Sequence, residues 1–294
     1  MAAVNTPPAT LDHPRPFALS TKAKLALVLV VIYAIFAATQ LGFSWERFEA
    51  GLGHGARFLA RMFPPSTERL GILWQGISES LEIAVLASTA GILLSLPLSL
   101  LAARNLMPVW ATWPARAVIS LCRALHPVIV AILFVKAVGF GALAGVLALT
   151  VASIGFIGKL FTESIEEISL KQVEAIRASG ASFANVITFG VLPQVFARFV
   201  GFSTYQLDSN LRNSTMVGIV GAGGIGGTLF SAFQRFDYDF VATILITIIA
   251  IIMLGEVLAR IVRAILLDNV TLGQLLRRAP RGAPSTLRPE GDDA

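Results

Sequence analysis

Charge is scarce in this chain: 14% of its 294 residues are Asp, Glu, Lys or Arg, against 55% hydrophobic residues and a mean hydropathy of +0.74. Soluble domains carry about 25% charged residues, so this shortage excludes a soluble protein, and the apolar runs leave no segment long enough for a separate aqueous core. Cysteine is limited to Cys122, which lies in an apolar run. That excludes an intrachain disulfide and any C-x-x-C redox or zinc site, and leaves Cys122 as a small hydrophobe. The three histidines, His13, His54 and His126, are scattered over a tail, an interfacial stretch and a span, so no metal cluster can be built from them. His126, beside Pro127, reads as a helix-breaking polar spot. There is no G-x-x-x-x-G-K-[ST] phosphate loop; the nearest approach, Gly158-Lys159-Leu160, lacks both the upstream loop and the hydroxyl for Mg²⁺. No nucleophile, base and metal-ligand set converges, which argues against an enzyme embedded in the membrane.

What the chain does have is apolar runs of about 20 residues, the length that crosses a bilayer as a helix. Six are expected, at 23–42, 74–103, 114–138, 141–162, 195–219 and 239–264, giving an all-α integral membrane protein with one membrane domain over 22–267. The first run is too long, and too poor in a small-residue cleavage site, for a removed signal peptide, so it is expected to stay as an anchor. Pro97, near the end of the second, implies a kink. With both ends cytoplasmic, the inside segments hold fifteen of the 23 Lys and Arg residues and the outside segments five, Arg47, Arg57, Arg61, Arg69 and Arg235; Arg123, Lys136 and Arg212 fall inside or at the edge of spans. The positive-inside rule selects that orientation. The net charge of +5 then reflects topology and contact with anionic lipid, and is no sign of nucleic-acid binding.

Segments 1–21 and 268–294 read as cytoplasmic tails. The stretch 43–65 mixes Trp45, Phe48, Leu52, Phe58 and Leu59 with Glu46, Arg47, Arg57 and Arg61, as expected of an interfacial collar on the periplasmic side. Gly51, Gly53 and Gly55 weaken its middle and suggest two short helices. Gly221-Ala222-Gly223-Gly224-Ile225-Gly226 matches G-x-G-x-x-G and follows the strand-like run Met216–Val220, but a dinucleotide site needs a soluble strand-turn-helix and an acid about 20 residues on. Here a span begins near 239. The run reads instead as a break where backbone approaches backbone, or where the chain re-enters the membrane. Just before it, Asp208 and Arg212 share a helix face and can pair, with Gln206, Asn210, Asn213, Ser214 and Thr215 adding polarity. Two readings stay open for this region: pairing between helices, or the lining of an anion path.

The remaining loop, 163–194, carries a polar, helix-forming island, Val173-Glu174-Ala175-Ile176-Arg177-Ala178-Ser179-Gly180-Ala181, followed by Val191-Leu192-Pro193-Gln194. It reads as a rigid elbow offered to a cytosolic partner, with Glu174 in a first helical turn, Gly180 at a sharp exit and Pro193 starting the next helix. Together with Gly158-Lys159-Leu160-Phe161, Glu163, Ile165-Glu166, Asn210-Leu211-Arg212 and Val217–Gly226, this order resembles the permease subunits of phosphonate-type ABC importers over most of the chain. The Glu-Ala-Ala element of that class reads here as Glu174-Ala175-Ile176, with Ile176 departing from the second Ala. The Gly-rich run is also similar to one in methionine-importer permeases.

The resemblance implies a type I importer fold and a pair of these permeases, with two cytoplasmic ATP-binding subunits that hold the ATP and Mg²⁺ and an extracytoplasmic binding protein, in a prokaryotic inner membrane. It implies that Glu174, Ala175, Arg177, Gly180, Ala181, Leu192 and Pro193 contact the ATPase. Asp208, Asn210, Arg212, Asn213, Gly221, Gly223, Gly224 and Gly226 would line the path or its gate. The cargo it implies is phosphonate, phosphite or phosphate, with methionine or another small solute as the alternative. A secondary transporter would instead show repeated halves and several deep acids, and the chain has neither.

Overall fold

The computed structural model describes residues 20–42 and 44–268, with side chains through 261. The expected tails therefore lie outside the described residues, save for Ser20, Thr21 and Asp268. Contacts divide the chain into two units, 1–60 and 61–294.

The first unit holds α1 (Thr21–Gln40) and α2 (Trp45–Arg61), whose last residue opens the second unit. Ser20 caps α1, its Oγ accepting from Ala23 N at 3.3 Å. No residue of α1 is buried, so an apolar helix of spanning length presents all its sides to its surroundings. The collar is one helix where two were expected. Ser44 Oγ accepts from Arg47 N at its start, and Glu46 and Arg61 complement the helix dipole at its two ends. The three glycines cost about 0.5–1 kcal/mol each, too little to break a helix secured at both ends.

In the second unit the elements are α3 (Leu70–Ala102), α4 (Val109–Ala124), α5 (Pro127–Val138), α6 (Ala142–Glu166), α7 (Leu170–Ala178), α8 (Phe183–Asn185) with a π-helical continuation at Val186–Val191, α9 (Leu192–Ile219), α10 (Ile225–Gln234) and α11 (Tyr238–Asp268). No strand occurs among the described residues; the strand-like run Met216–Val220 is helical as far as Ile219. Among the described residues, five helices are long and apolar enough to cross a membrane, or six if α4 and α5 together form one span.

The stretch 114–138, read from sequence as a single span, is two helices meeting at 92°. Pro127 disfavours helical backbone at the residue before it; Leu125 and His126 are both extended, and His126 Nδ1 accepts from Val128 N to cap α5.

α3 and α6 form the centre. Their facing sides are lined with small residues, Ala84, Ala87, Ser88, Gly91, Ser95 and Ser99 on α3 and Ala144, Gly145, Ala148, Ser153 and Gly158 on α6, all buried. Lipid offers no hydrophobic gain for helix association, so close van der Waals contact and hydrogen bonds must supply it. A Cβ on Gly91 would stand 2.3 Å from that of Ser153. Ser99 Oγ, which donates within its own helix to Ser95 O, also lies 3.3 Å from Gly158 O of α6. Above this seam, Ile83, Val130, Leu149 and Val217 form an apolar core joining α3, α5, α6 and α9.

Candidate functional site

The elbow sits at one end of the second unit. Val173 is buried and, with Ile165, Ile168, Val186, Val191 and Val195, forms a small core of its own, with Ala103 from the end of α3. Burying side chains of this size contributes about 1.5–3 kcal/mol each, so α7 is fixed to the scaffold by one face. Gln194 clamps the same junction: its Oε1 accepts from Ser169 N at 2.9 Å and its Nε2 donates to Gly190 O at 2.6 Å. Because one face of α7 is committed, Glu174, Ala175 and Arg177 are exposed.

Glu174 stands in the middle of α7, not in its first turn. The helix begins earlier than sequence spacing suggests because its start is held by Gln194, 25 residues away. Gly180 ends the helix in the left-handed region, φ +78°, its N–H donating to Arg177 O at 3.0 Å, the usual role of glycine after a helix C-terminus. Ala181 is half-buried. Leu192 and Pro193 are exposed and open the long α9, with Pro193 in its first turn.

The elbow is tied to its neighbours by charge. Glu166, at the end of α6, accepts from Arg104 N at 2.9 Å and pairs with Arg116 of α4. Glu167 pairs with Arg198 of α9 at 2.6 Å, and Asn105 Nδ2 donates to Ile165 O at 2.7 Å. These pairs are partly exposed and individually weak; their common effect is to link α3, α4, α6 and α9 to one short segment.

At the opposite end, the Gly-rich run folds α10 back on α9. A Cβ on Gly226 would lie 1.9 Å from Thr215 O, and Ile225 N donates to Ser80 Oγ of α3 at 2.9 Å. Gly221 O accepts from Gly141 N at the start of α6. Gly224 and Gly226 are buried, while Gly221 and Gly223 are half-buried. The run is a seam between backbones, as one of the two sequence readings had it.

Between these ends lies the polar part of α9. Asp208 and Arg212 pair at 2.8 Å, with the Asp208 side chain 12% and the Arg212 side chain 42% exposed, and Asp208 Oδ1 takes no hydrogen bond. Asn210 is fully buried on the other side of the helix, where its Nδ2 donates to Ser88 Oγ and Ser153 Oγ, both at 2.9 Å. Gln206 Nε2 donates to Ser153 Oγ at 2.8 Å and to Asn210 Oδ1 at 3.0 Å. This network joins α3, α6 and α9, so Asn210 is held apart from Asp208 and Arg212. Asn213 Nδ2 donates to Ser209 Oγ. Both border a cleft of about 230 Å³ below the α4–α5 break, together with Cys122, Arg123 and Gln206. Sequence reading set Arg123 aside as a charge at the edge of a span; only the right-angled break brings it to this cleft. Among the described residues no group of three or more His, Cys, Asp or Glu could hold a metal ion.

Residues 95–271 match the family model described as binding-protein-dependent transport system inner membrane component. The chain belongs to that family. The region includes the elbow, the polar part of α9 and the Gly-rich seam. Within the family, the chain is 32% identical to a putative phosphite transport system permease protein, HtxC, of Stutzerimonas stutzeri, over 84% of this chain and 87% of that protein. It is 36% identical to the phosphite transport system permease protein PtxC of the same organism, over 72% and 78% of the two chains. It is also 41% identical to the phosphate-import permease protein PhnE of Mycolicibacterium smegmatis over 69% of this chain, a match that spans only 39% of that longer protein. Among solved structures, the fold is similar to that of the MetNI methionine ABC transporter in an inward-facing conformation, with TM-score 0.60 and 24% identity, over 68% of this chain and 98% of that one. The helical fold is thus the one that this ABC transporter also contains.

Proposed function

We propose that this chain is the permease subunit of an ATP-driven importer for phosphonate or a related phosphorus oxyanion, phosphite or phosphate. In this reading two copies form the membrane pathway, two cytoplasmic subunits bind ATP and Mg²⁺, and an extracytoplasmic protein delivers the cargo. The observation that carries it is the elbow: an exposed helix face of Glu174, Ala175 and Arg177, ended by a left-handed Gly180, mounted on a buried Val173 and clamped by Gln194. Such a segment transmits force because it cannot swing independently of α6 and α9. Ala181, Leu192 and Pro193 flank the same surface. Closing of the ATPase pair would push the two elbows and tilt α6 and α9, changing which end of the cavity is open.

The cargo class is supported by the phosphite and phosphate permeases among the relatives. The charge bias of the loops supports an orientation with the elbow end and both chain termini in the cytoplasm. Purification from membranes is the test. The chain should bring down an ATP-binding subunit in equal numbers, and Glu174→Arg should release that subunit while the permease remains folded. Recovery of the chain alone under mild detergent, with ATPase present in the same cells, would contradict the reading.

A further inference from the structure

We infer that Arg123, with Ser209 and Asn213, forms an anion-binding station at the middle of the membrane. The inference deepens the importer reading above and rests on it. Three observations carry it. First, depth: Arg123 packs against Gly155 of α6, where an added Cβ would meet Arg123 Cγ at 2.8 Å. Gly155 lies near the middle of α6, roughly 20 Å from its start and 16 Å from its end at 1.5 Å per residue. Second, charge: every other described arginine in the membrane-spanning helices of the second unit, Arg116, Arg198, Arg212 and Arg260, has a carboxylate partner, whereas Arg123 has none among the described residues. An intramembrane cation is costly unless it faces an aqueous path or a counter-charge.

Third, the cleft is richer in polar groups than the larger groove between α3 and α9, although Leu125, Pro127, Ala152 and Phe156 line it too. Arg123 shares it with Gln206, Ser209 and Asn213 of α9, and the Gln206 amide is already committed to Ser153 and Asn210. The groove between α3 and α9, about 480 Å³, is lined by Val85, Ile92, Phe161, Phe196 and Leu207 with only four hydroxyl side chains among them.

The arrangement suits a small tetrahedral oxyanion. A guanidinium offers a planar fork of donors to two oxygens of such an ion, and a serine hydroxyl and an amide N–H from α9 can meet the others. The wall is a broken helix, the feature that transporters use to open a site at mid-depth. The backbone N–H groups at the start of α5 are not available: Val128 N is bound by His126 Nδ1, and Ile129 N and Val130 N by His126 O. The side chain of Arg123 is therefore the donor on offer. A lipid phosphate is excluded by position, since headgroups lie at the bilayer surfaces.

Two measurements on the assembled transporter test it. In proteoliposomes with the binding protein present, Arg123→Gln should lower uptake of inorganic phosphate at least tenfold while ATP hydrolysis continues, and Arg123→Lys should fall between. Phosphate uptake at the wild-type rate in Arg123→Gln overturns the proposal. The second measurement uses the wild-type chain, whose single cysteine lines the cleft, and so holds even if the variants fail to assemble. An anionic sulfonate thiol reagent should modify Cys122 faster than a cationic ammonium one, and inorganic phosphate, but not chloride at equal ionic strength, should slow it. No charge preference and no protection overturn the proposal. A wild-type transporter that carries no phosphorus oxyanion refutes the importer reading separately, because the thiol reaction reports on the cleft whether or not transport occurs.

Discussion

At the scale of single residues, position around a helix decides what a polar side chain does. Asp208, Asn210 and Arg212 form one polar patch in sequence, but at 100° per residue Asn210 is about 200° from Asp208. Asn210 accordingly ends in the α3–α6–α9 network while Asp208 and Arg212 pair elsewhere. Replacing Asn210 with Leu removes one partner each from Ser88, Ser153 and Gln206; stranded buried polar groups cost about 1–3 kcal/mol. A lower melting temperature in detergent is expected, and an unchanged one would show that the network contributes nothing. Gly180 is a different case. A Cβ there meets nothing within 4 Å, so a side chain is opposed only by the left-handed φ of +78°, about 1–2 kcal/mol. Gly180→Leu should therefore fold, yet lose most ATP-driven uptake while ATP hydrolysis persists, whereas Gly180→Asn, which tolerates that φ, should retain uptake. Equal uptake by Gly180→Leu and the wild type would remove the elbow from the coupling route.

At the scale of elements, hydropathy and period were legible and direction was not. The expected spans 74–103, 141–162 and 239–264 lie close to α3, α6 and α11, because each is a long apolar run whose ends are marked by Gly, Pro or charge. The helix start at Pro193 was legible for the same local reason. The right angle between α4 and α5 was not, although His126-Pro127 signalled a break: apolar length says how far a chain can go, and only packing of Arg123 against Gly155 says where it turns. The placing of Glu174 failed because the start of α7 is set by a distant glutamine. Glycines separate by what stands opposite them. Gly226 faces Thr215 O at 1.9 Å from a would-be Cβ, while Gly51, Gly53 and Gly55 in α2 face nothing within 4 Å. Gly226→Ala should abolish monodisperse protein on size-exclusion chromatography, and Gly53→Ala should leave the profile unchanged or improve stability by about 0.5–1 kcal/mol. The reverse pattern would contradict the backbone seam.

At the scale of the whole molecule, the second unit has two ends, the elbow and the Gly-rich seam, joined by three long helices. The elbow collects contacts from α3, α4, α6 and α9 through Val173, Gln194, Glu166 and Glu167. The Gly-rich seam binds the other ends of α3, α6 and α9. Between them lie the buried network and the cleft at the helix break. In the proposed reading, a push on the elbow would reach the mid-membrane region through helices that are already locked to one another. The most direct test is uptake of labelled phosphate by cells that carry or lack this chain, with its ATP-binding subunit and binding protein present, and with methylphosphonate, phosphite and methionine as unlabelled competitors. Uptake that needs the chain and ATP is expected, with competition by the phosphorus oxyanions only. Uptake that is independent of the chain, or that yields to methionine and not to phosphite or methylphosphonate, would contradict it.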